Sequence, residues 1–366
     1  MKHRFNYNWK LSETKFTKDK GKVFSCFACG GGSTMGYKLA GFDVVGANDI
    51  DKKMSEVYKH NHDPKYYYLE SITTLAKRKD LPKELYNLDI LDGSPPCSSF
   101  STIGNREKDW GKEKQFKEGQ AKQILDTLFF DFIDLAKELQ PKVVIAENVQ
   151  GLMLGAAMSY VRKIYNEFDK AGYYCQHFLL NAAKMGVPQR RKRVFFVCLR
   201  KDLAEPFLYQ KDLFDVAPKI ELKFNEKPIY FRDIFVDYFD TFLTYLYKSI
   251  WDKRQFGDLN FSFCNRRIEG RNPQGNFQYK FIYMDKVLPT IVAGDQNVLY
   301  DYPRNLNKNE LISGGSFPTD YDFLGIKPVY LIGMSVPPLM TANIATEIYD
   351  QWLKRLVVKK SDGEKL

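Results

Sequence analysis

The sequence predicts an α/β fold, with a parallel sheet carrying helices on both faces and a smaller second domain that is irregular and partly β. Short apolar runs alternate with helical stretches from Lys22 to about Arg200, the pattern of a doubly wound sheet. From Lys201 to Val329 the periodicity weakens into polar, aromatic and Asn/Gly-rich pieces such as CNRRIEGRNPQGNFQYKF. From Leu339 to Val357 helical spacing returns, with Leu339, Ile344, Ile348 and Leu353 on one face. The expected domains are therefore 1–200 plus 330–366, built on the sheet, and 201–329 as a separate unit.

Five apolar runs read as buried strands: KVFSCF, FDVVGAN, NLDILD, KVVIAEN and RVFFVCL. QILDTLFFDFIDLAKEL and SYVRKIYNEFDKAG read as helices between them. The chain has 366 residues, 44% hydrophobic and 27% charged, the composition of a soluble globular protein. No run approaches the roughly 20 uncharged apolar residues of a membrane helix. The basic, polar N-terminus lacks a signal-peptide core, so a cytoplasmic location is expected. Six cysteines and four scattered histidines offer no zinc spacing, so each cysteine is by default a small buried hydrophobe. The net charge of +10 fits either a solvated basic surface or attraction to a polyanion.

Ligands of such sheets bind beyond the carboxyl ends of the strands, so the residues just after each apolar run are the first candidates for chemistry. After the first strand comes Phe27-Ala28-Cys29-Gly30-Gly31-Gly32. Glycines let the backbone turn sharply and approach a ligand closely, although such turns also occur for purely structural reasons. The second strand ends at Asn48-Asp49-Ile50-Asp51. Either acid is placed about 20 positions past the turn, where a ribose hydroxyl can be held. The consecutive glycines differ from the dinucleotide fingerprint and disfavour a nicotinamide cofactor.

Cys97 comes after the third run in Asp92-Gly93-Ser94-Pro95-Pro96-Cys97. Two prolines stiffen its approach, which suits a presented nucleophile as well as a buried strand-end thiol. Thr102 to Glu118 has the composition of a loop that closes over a ligand. KVVIA ends in Glu147-Asn148, where a carboxyl can act as an acid. Gln189-Arg190-Arg191-Lys192-Arg193 is either a solvated or a phosphate-facing patch, and alternation sends Arg191 and Arg193 to the side opposite Lys192.

In this order the strings resemble the DNA cytosine-5 methyltransferase family over most of the chain. The glycine loop is similar to its cofactor motif, Pro95-Pro96-Cys97 to its catalytic motif and Glu147-Asn148-Val149 to its acid motif. The string from Gln189 to Arg193 is similar to its glutamine–arginine motif. Glu310 with Phe317, Pro318 and Tyr321 resembles the penultimate motif, and Gly333-Met334-Ser335-Val336-Pro337-Pro338 the last one. The departures are Cys29 for the loop's first glycine, Met334 for an Asn, and Ser98 where Gln is frequent.

The resemblance implies a Rossmann-like S-adenosylmethionine-dependent methyltransferase sheet domain with 201–329 as target-recognition domain. It also implies methyl transfer from S-adenosylmethionine to C5 of a flipped-out cytosine in duplex DNA, as in restriction–modification or phage protection. Cys97 would be the nucleophile, Glu147 would meet the cytosine N3 edge, and Arg191 and Arg193 would orient the base and its phosphate. Phe27, Ala28, Gly30, Gly31, Gly32, Asp49, Ile50, Ser71, Ile72, Pro95, Ser335 and Val336 would hold the cofactor. Ser98, Ser101, Gln189, Arg266, Arg267, Arg271 and Thr290 would meet DNA, with Asn272 and Gln274 as further polar candidates. Neither a metal nor a membrane is implied, and a monomer is expected. Rival readings are a cytosine-5 methyltransferase acting on transfer RNA, a catalytically inactive DNA-binding module and a nicotinamide-dependent oxidoreductase.

Overall fold

A seven-stranded sheet organises the larger part of the chain. The structure, a computed structural model, describes residues 3–96, 113–114, 123–124, 127–155, 157–210, 216–238, 240–270, 279–294 and 296–356. The strands in chain order are β1 (Lys22–Cys26), β2 (Asp43–Asp49), β3 (Tyr66–Leu69), β4 (Ile90–Gly93), the two-residue β5 (Glu113–Lys114) and β6 (Gln123–Ile124), then β7 (Val143–Val149), β8 (Tyr173–Asn181) and β9 (Lys192–Arg200). Strands β5 and β6 pair with each other. The other seven form one sheet in the order β3-β2-β1-β4-β7-β9-β8.

The five strands from β3 to β7 in that order are parallel. Parallel neighbours need crossovers, and helices α1 (Gly32–Leu39), α2 (Lys52–His62), α3 (Ile72–Leu75) and α4 (Leu128–Leu139) lie between successive strands. The all-parallel expectation fails at one edge. After α5 (Ala157–Lys170) and β8, the chain returns through 182–191 without a crossover helix. β9 therefore enters antiparallel between β7 and β8. The predicted helix over 123–139 begins only at Leu128.

Side-chain alternation builds two layers. Leu91 belongs to a large apolar cluster that includes Phe129, Phe132, Ile164 and Phe168 of α4 and α5. Asp92, next along β4, turns to the other face, where Tyr37 of α1 and Ser25 of β1 donate to it at 3.0 and 2.9 Å. Beyond β9 come α6 (Lys201–Ala204) and the hairpin of β10 (Leu208–Gln210) and β11 (Val216–Pro218).

The described chain divides into two units. The sheet unit holds 15–181, 192–223 and 341–366, and the smaller unit holds 1–14, 182–191 and 224–340. Segments 1–14 and 182–191, expected from the sequence to belong with the sheet, thus fall in the smaller unit, and 201–223 falls in the sheet unit. The smaller unit is richer in helix than expected. It contains α7 (Tyr245–Trp251), α8 (Phe261–Glu269), α9 (Lys308–Gly314) and α10 (Pro328–Met334), with one parallel pair, β12 (Tyr279–Ile282) and β13 (Gln296–Leu299). Helix α11 (Pro338–Ile348) comes next, and Leu339, Ile344, Ile348 and Leu353 are buried as the periodicity requires. Within the sheet unit, Trp352 Nε1 donates to Lys219 O at 2.8 Å. Pro328–Leu356 is long and apolar enough to cross a membrane by length and composition, but 83% of its apolar window is buried inside the protein.

Candidate active site

In the sheet unit, the candidate residues gather at the carboxyl ends of β1, β2, β4 and β7. The backbone turns sharply after β1, with positive φ at Phe27 (53°), Cys29 (47°) and Gly31 (85°). Cys29 thus takes a left-handed conformation that favours glycine, which explains physically why its side chain is unusual there. At Gly31 glycine is required twice over, because an added Cβ would lie 2.2 Å from His62 Nε2. Burial lowers the pKa of His62 to about 3, with Lys38 adding to the effect.

The two acids after β2 separate by role. Asp51 is buried and caps α2, accepting from Met54 N at 3.1 Å. Asp49 accepts Cys29 N at 2.7 Å through Oδ2 and Asp51 N at 2.9 Å through Oδ1. Each carboxylate oxygen has a second lone pair, so Asp49 ties the glycine loop to β2 and can still accept from a ribose. Burial raises its pKa to about 6 against these backbone donors. Ile50 is partly exposed beside it. Ser71 accepts Thr74 N at 3.1 Å as the cap of α3, whose first residue, Ile72, is buried.

Cys97, Ser98, Ser101 and Arg271 lie outside the described residues, as do Asn272, Gln274 and most of the loop expected over 102–118. The approach to Cys97 is described up to Pro96. Asn148 Nδ2 donates to Pro95 O at 3.1 Å. This bond fastens the chain two residues before Cys97 to the strand that carries Glu147. In the sequence Asn148 stands out only as a companion of Glu147, and no spacing rule reveals such a bond.

Glu147 and Arg193 meet on neighbouring strands. Val149 stands opposite Arg193 in the β7–β9 register, so Glu147 is its diagonal neighbour on the same face. Arg193 Nε lies 2.8 Å from Glu147 Oε1, with the two side chains 13% and 11% exposed. Glu147 shares its face with Asp92, which no sequence motif singles out. Burial lifts Asp92 to about 7 against the donors Ser25, Tyr37 and Ser33, and the Glu147 charge adds to the lift. Cys26 and Cys29 have a C-x-x-C spacing, a pair that the zinc-spacing argument leaves out. Cys26 is fully buried in the apolar layer, and burial raises its thiol far above the usual range.

The remaining candidates fall in the smaller unit. Arg191, covered like Arg193 while Lys192 is exposed, donates Nη1 to Ile291 O and Nη2 to Gly333 O, both at 3.0 Å. The two arginines therefore serve different units. Gln189 is buried with both ends of its amide engaged, by Gly314 O and by Ile291 N. Thr290 Oγ1 donates to Arg190 O. Arg267 is paired with Asp258, and Arg266 is exposed at the end of α8. Ser335 and Val336 are buried, with Ser335 Oγ donating to Leu331 O at 2.8 Å. Gly333 packs so tightly that a Cβ would lie 2.4 Å from Ala293 N. Among the described residues, no group of three or more His, Cys, Asp or Glu could hold a metal.

The sheet order and its one antiparallel strand, with a glycine turn and an acid after the first two strands, define a Rossmann-like methyltransferase fold. Residues 21–350 match the family model for C-5 cytosine-specific DNA methylases, and the chain belongs to that family. Type II methyltransferase M.NgoPII of Neisseria gonorrhoeae is 37% identical over 191 residues, 52% of this chain and 51% of that protein. M.FnuDI of Fusobacterium nucleatum is 36% identical over 50% and 48% of the two chains. The chain spans about half the length of these curated relatives. M1.HphI of Haemophilus parahaemolyticus is 27% identical over 88% of this chain and 85% of its own. Among solved structures, one described as a prophage-encoded DNA modification methyltransferase (E. coli) superposes with a TM-score of 0.63 at 20% identity, covering 90% of this chain and 99% of that one. Spodoptera frugiperda DNMT2 gives 0.61 at 17%, covering 90% and 99%.

Proposed function

We propose that the protein methylates C5 of cytosine in a specific duplex DNA sequence, with S-adenosylmethionine as donor and Cys97 as covalent nucleophile. The observation that carries this reading is the joint placement of the Glu147–Arg193 pair and the Asn148–Pro95 bond. Together they put a carboxyl, a cation and the stiffened approach to a thiol on one strand end. Family membership supplies the reaction class. A role in restriction–modification or phage protection accords with the type II names of the relatives and the prophage origin of one structural neighbour. A cytoplasmic location accords with that role.

The residues present fit the donor. The sharp turn through Phe27, Cys29 and Gly31 sits at the carboxyl end of β1, and Asp49 keeps lone pairs for ribose hydroxyls. Phe27, Ala28, Gly30, Gly32, Ile50, Ser71, Ile72 and Pro95 would complete the sheet unit's share. When bound, the donor supplies an electrophilic methyl group. The Cys97 thiolate adds to C6 and makes C5 electron-rich, which splits one difficult step into easier ones. Glu147 holds a proton or hydrogen bond at N3, and Arg193 holds Glu147 in place. Loss of the C5 proton after methyl transfer expels Cys97. None of this is possible inside the base stack, so the cytosine is extruded at a cost of a few kcal/mol. Phosphate contacts made by a chain of net charge +10 help offset that cost. Arg191 and Gln189 act as clips that shape the smaller unit, and target reading is assigned to 201–329.

Cys97→Ser is expected to abolish methylation while leaving DNA binding intact, read by methyl incorporation and gel shift. Normal turnover by this variant, or an adduct with 5-fluorocytosine DNA that maps to Cys29, overturns the mechanism. Methylation of matched RNA in preference to DNA overturns the substrate. Sequencing methylated cytosines in a host expressing the protein reads out the target.

A further inference from the structure

Cys175 of β8 and Cys198 of β9 stand directly opposite each other in the antiparallel register. Opposed residues in such a pair lie about 4.5–5.5 Å apart at Cα, within the ~4.4–6.8 Å that a disulfide spans. Both side chains turn to one face, since Cys198 belongs to the apolar cluster under α4 and α5 and Cys175 packs against that cluster. The Cys175 sulfur adds to the upward shift of the Cys198 thiol.

Their surroundings differ in a way that assigns roles. Cys198 is fully buried, and burial together with the neighbouring sulfur keeps its thiol protonated well above the usual range. Cys175 is half-buried and opens onto a cleft of about 870 Å³, which is also lined by Arg162, Tyr165, Asn166 and His177. β8 is an edge strand, so a small reagent reaches Cys175 without opening the sheet. Neither cysteine has a part in the methyl-transfer reading.

We propose that Cys175 and Cys198 form a reversible redox pair, in which a hydroperoxide entering the cleft oxidises Cys175 and Cys198 then closes a cross-strand disulfide. In the first step the Cys175 sulfur takes the terminal hydroxyl of the hydroperoxide. The O–O bond breaks, the sulfur loses two electrons, and the departing oxygen takes the Cys175 thiol proton and leaves as alcohol or water. In the second step the Cys198 sulfur attacks the Cys175 sulfur, the S–S bond forms, and the expelled hydroxide leaves as water with the Cys198 proton. A small thiol reverses this by two exchange steps.

The test treats the full-length protein with limiting hydrogen peroxide, blocks residual thiols and maps the digest by mass spectrometry. The expected product is a linked pair of peptides carrying Cys175 and Cys198, lost on treatment with dithiothreitol. Cys175→Ser is expected to leave Cys198 reduced at the same dose. Cys198→Ala is expected to leave Cys175 as a sulfenic acid that dimedone traps. If Cys198→Ala does not fold, the linked peptides and the Cys175→Ser result still decide the matter. The proposal falls if Cys175 stays reduced while other cysteines react, if Cys175 oxidises further without linking to Cys198, or if Cys198 is oxidised in Cys175→Ser.

Discussion

In the sheet unit, the fully buried side chains come from strands and helices that alternate along the chain, such as Phe24, Leu91, Phe129, Phe132, Ile164 and Phe196. In the smaller unit, residues far apart in sequence meet in aromatic stacks. Phe261 lies on Tyr279 at 5.1 Å and 15°, and Tyr283 on Tyr300 at 4.7 Å and 20°. Among its fully buried polar groups is an ion pair between Arg304 and Glu310, both 0% exposed, which also holds the Val236 backbone and caps α9. The outer surfaces differ as well. Among the described residues, every large hydrophobic more than half exposed lies within 238–268 of the smaller unit, led by Tyr245 at 91%, Phe256 at 79% and Phe242 at 72%. One unit thus places its apolar groups in a layered core, and the other leaves several at its surface.

Breaking the buried pair should have the largest effect. Arg304→Met leaves the Glu310 carboxylate buried without its cation, a loss of about 3–5 kcal/mol. Hydrogen exchange should show protection lost over 224–340 and retained in β1, β4 and β7. Adding Glu310→Leu to Arg304→Met should recover much of the stability, because an apolar pair avoids the stranded charge. A double variant less stable than both single ones would mean that the pair matters for its capping bonds rather than its charges.

Asp92 provides the next test, in the sheet unit. Its pKa in the fold is about 7, against about 4 in an unfolded chain. Between those values the fold holds a proton that the unfolded chain has released, so stability is greatest below pH ~4 and is lost as the pH rises to about 7. Asp92→Asn keeps one acceptor oxygen and offers an NH2 donor to the other hydroxyl of the Ser25 and Tyr37 pair; it removes that slope and should be more stable than the parent at pH 8 by roughly 2 kcal/mol. Denaturant melts at pH 5 and pH 8 measure this, and an unchanged slope in the variant would refute the assignment.

These residues also show what the sequence makes legible and why. Strands β1, β2, β4, β7 and β9 are readable because a buried strand is a nearly continuous apolar run. β8 has only Tyr173 and Leu180 buried and is partly to fully exposed elsewhere; half covered as an edge strand, it sends no such signal. β3 is a run of three tyrosines and a leucine that are partly exposed to exposed. The glycine loop, Glu147 and Arg193 are legible as motifs. The Asn148–Pro95 bond and the burial of Asp92 are not, because each depends on which strands lie side by side. The smaller unit is least legible, since its stacks and its ion pair join residues that no local period connects.

Two glycines sharpen the comparison further. Gly31→Ala meets both a positive φ and the His62 ring, and the left-handed backbone alone costs about 1 kcal/mol. It should weaken S-adenosylmethionine binding at least tenfold by calorimetry. Gly333→Ala meets the backbone of Val292 and Ala293, which cannot rotate away, so the defect should appear as a lower melting temperature of the smaller unit. If Gly31→Ala instead lowered only stability, the glycine loop would be structural and not part of the cofactor site.

The smallest effect on stability should come from the exposed aromatics, and it bears most directly on function. Tyr245 and Phe242 are largely out of the core, so replacing both with alanine should change stability by within about 0.5 kcal/mol each. If the smaller unit reads DNA, the same change should weaken binding to the methylated target site more than binding to unrelated duplex, since rings at a groove act on bases while phosphate contacts do not distinguish sequence. Gel shifts at two salt concentrations separate the terms, because loss of an uncharged contact leaves the salt slope unchanged. Equal weakening on both duplexes, or none, would remove 238–268 from the recognition surface.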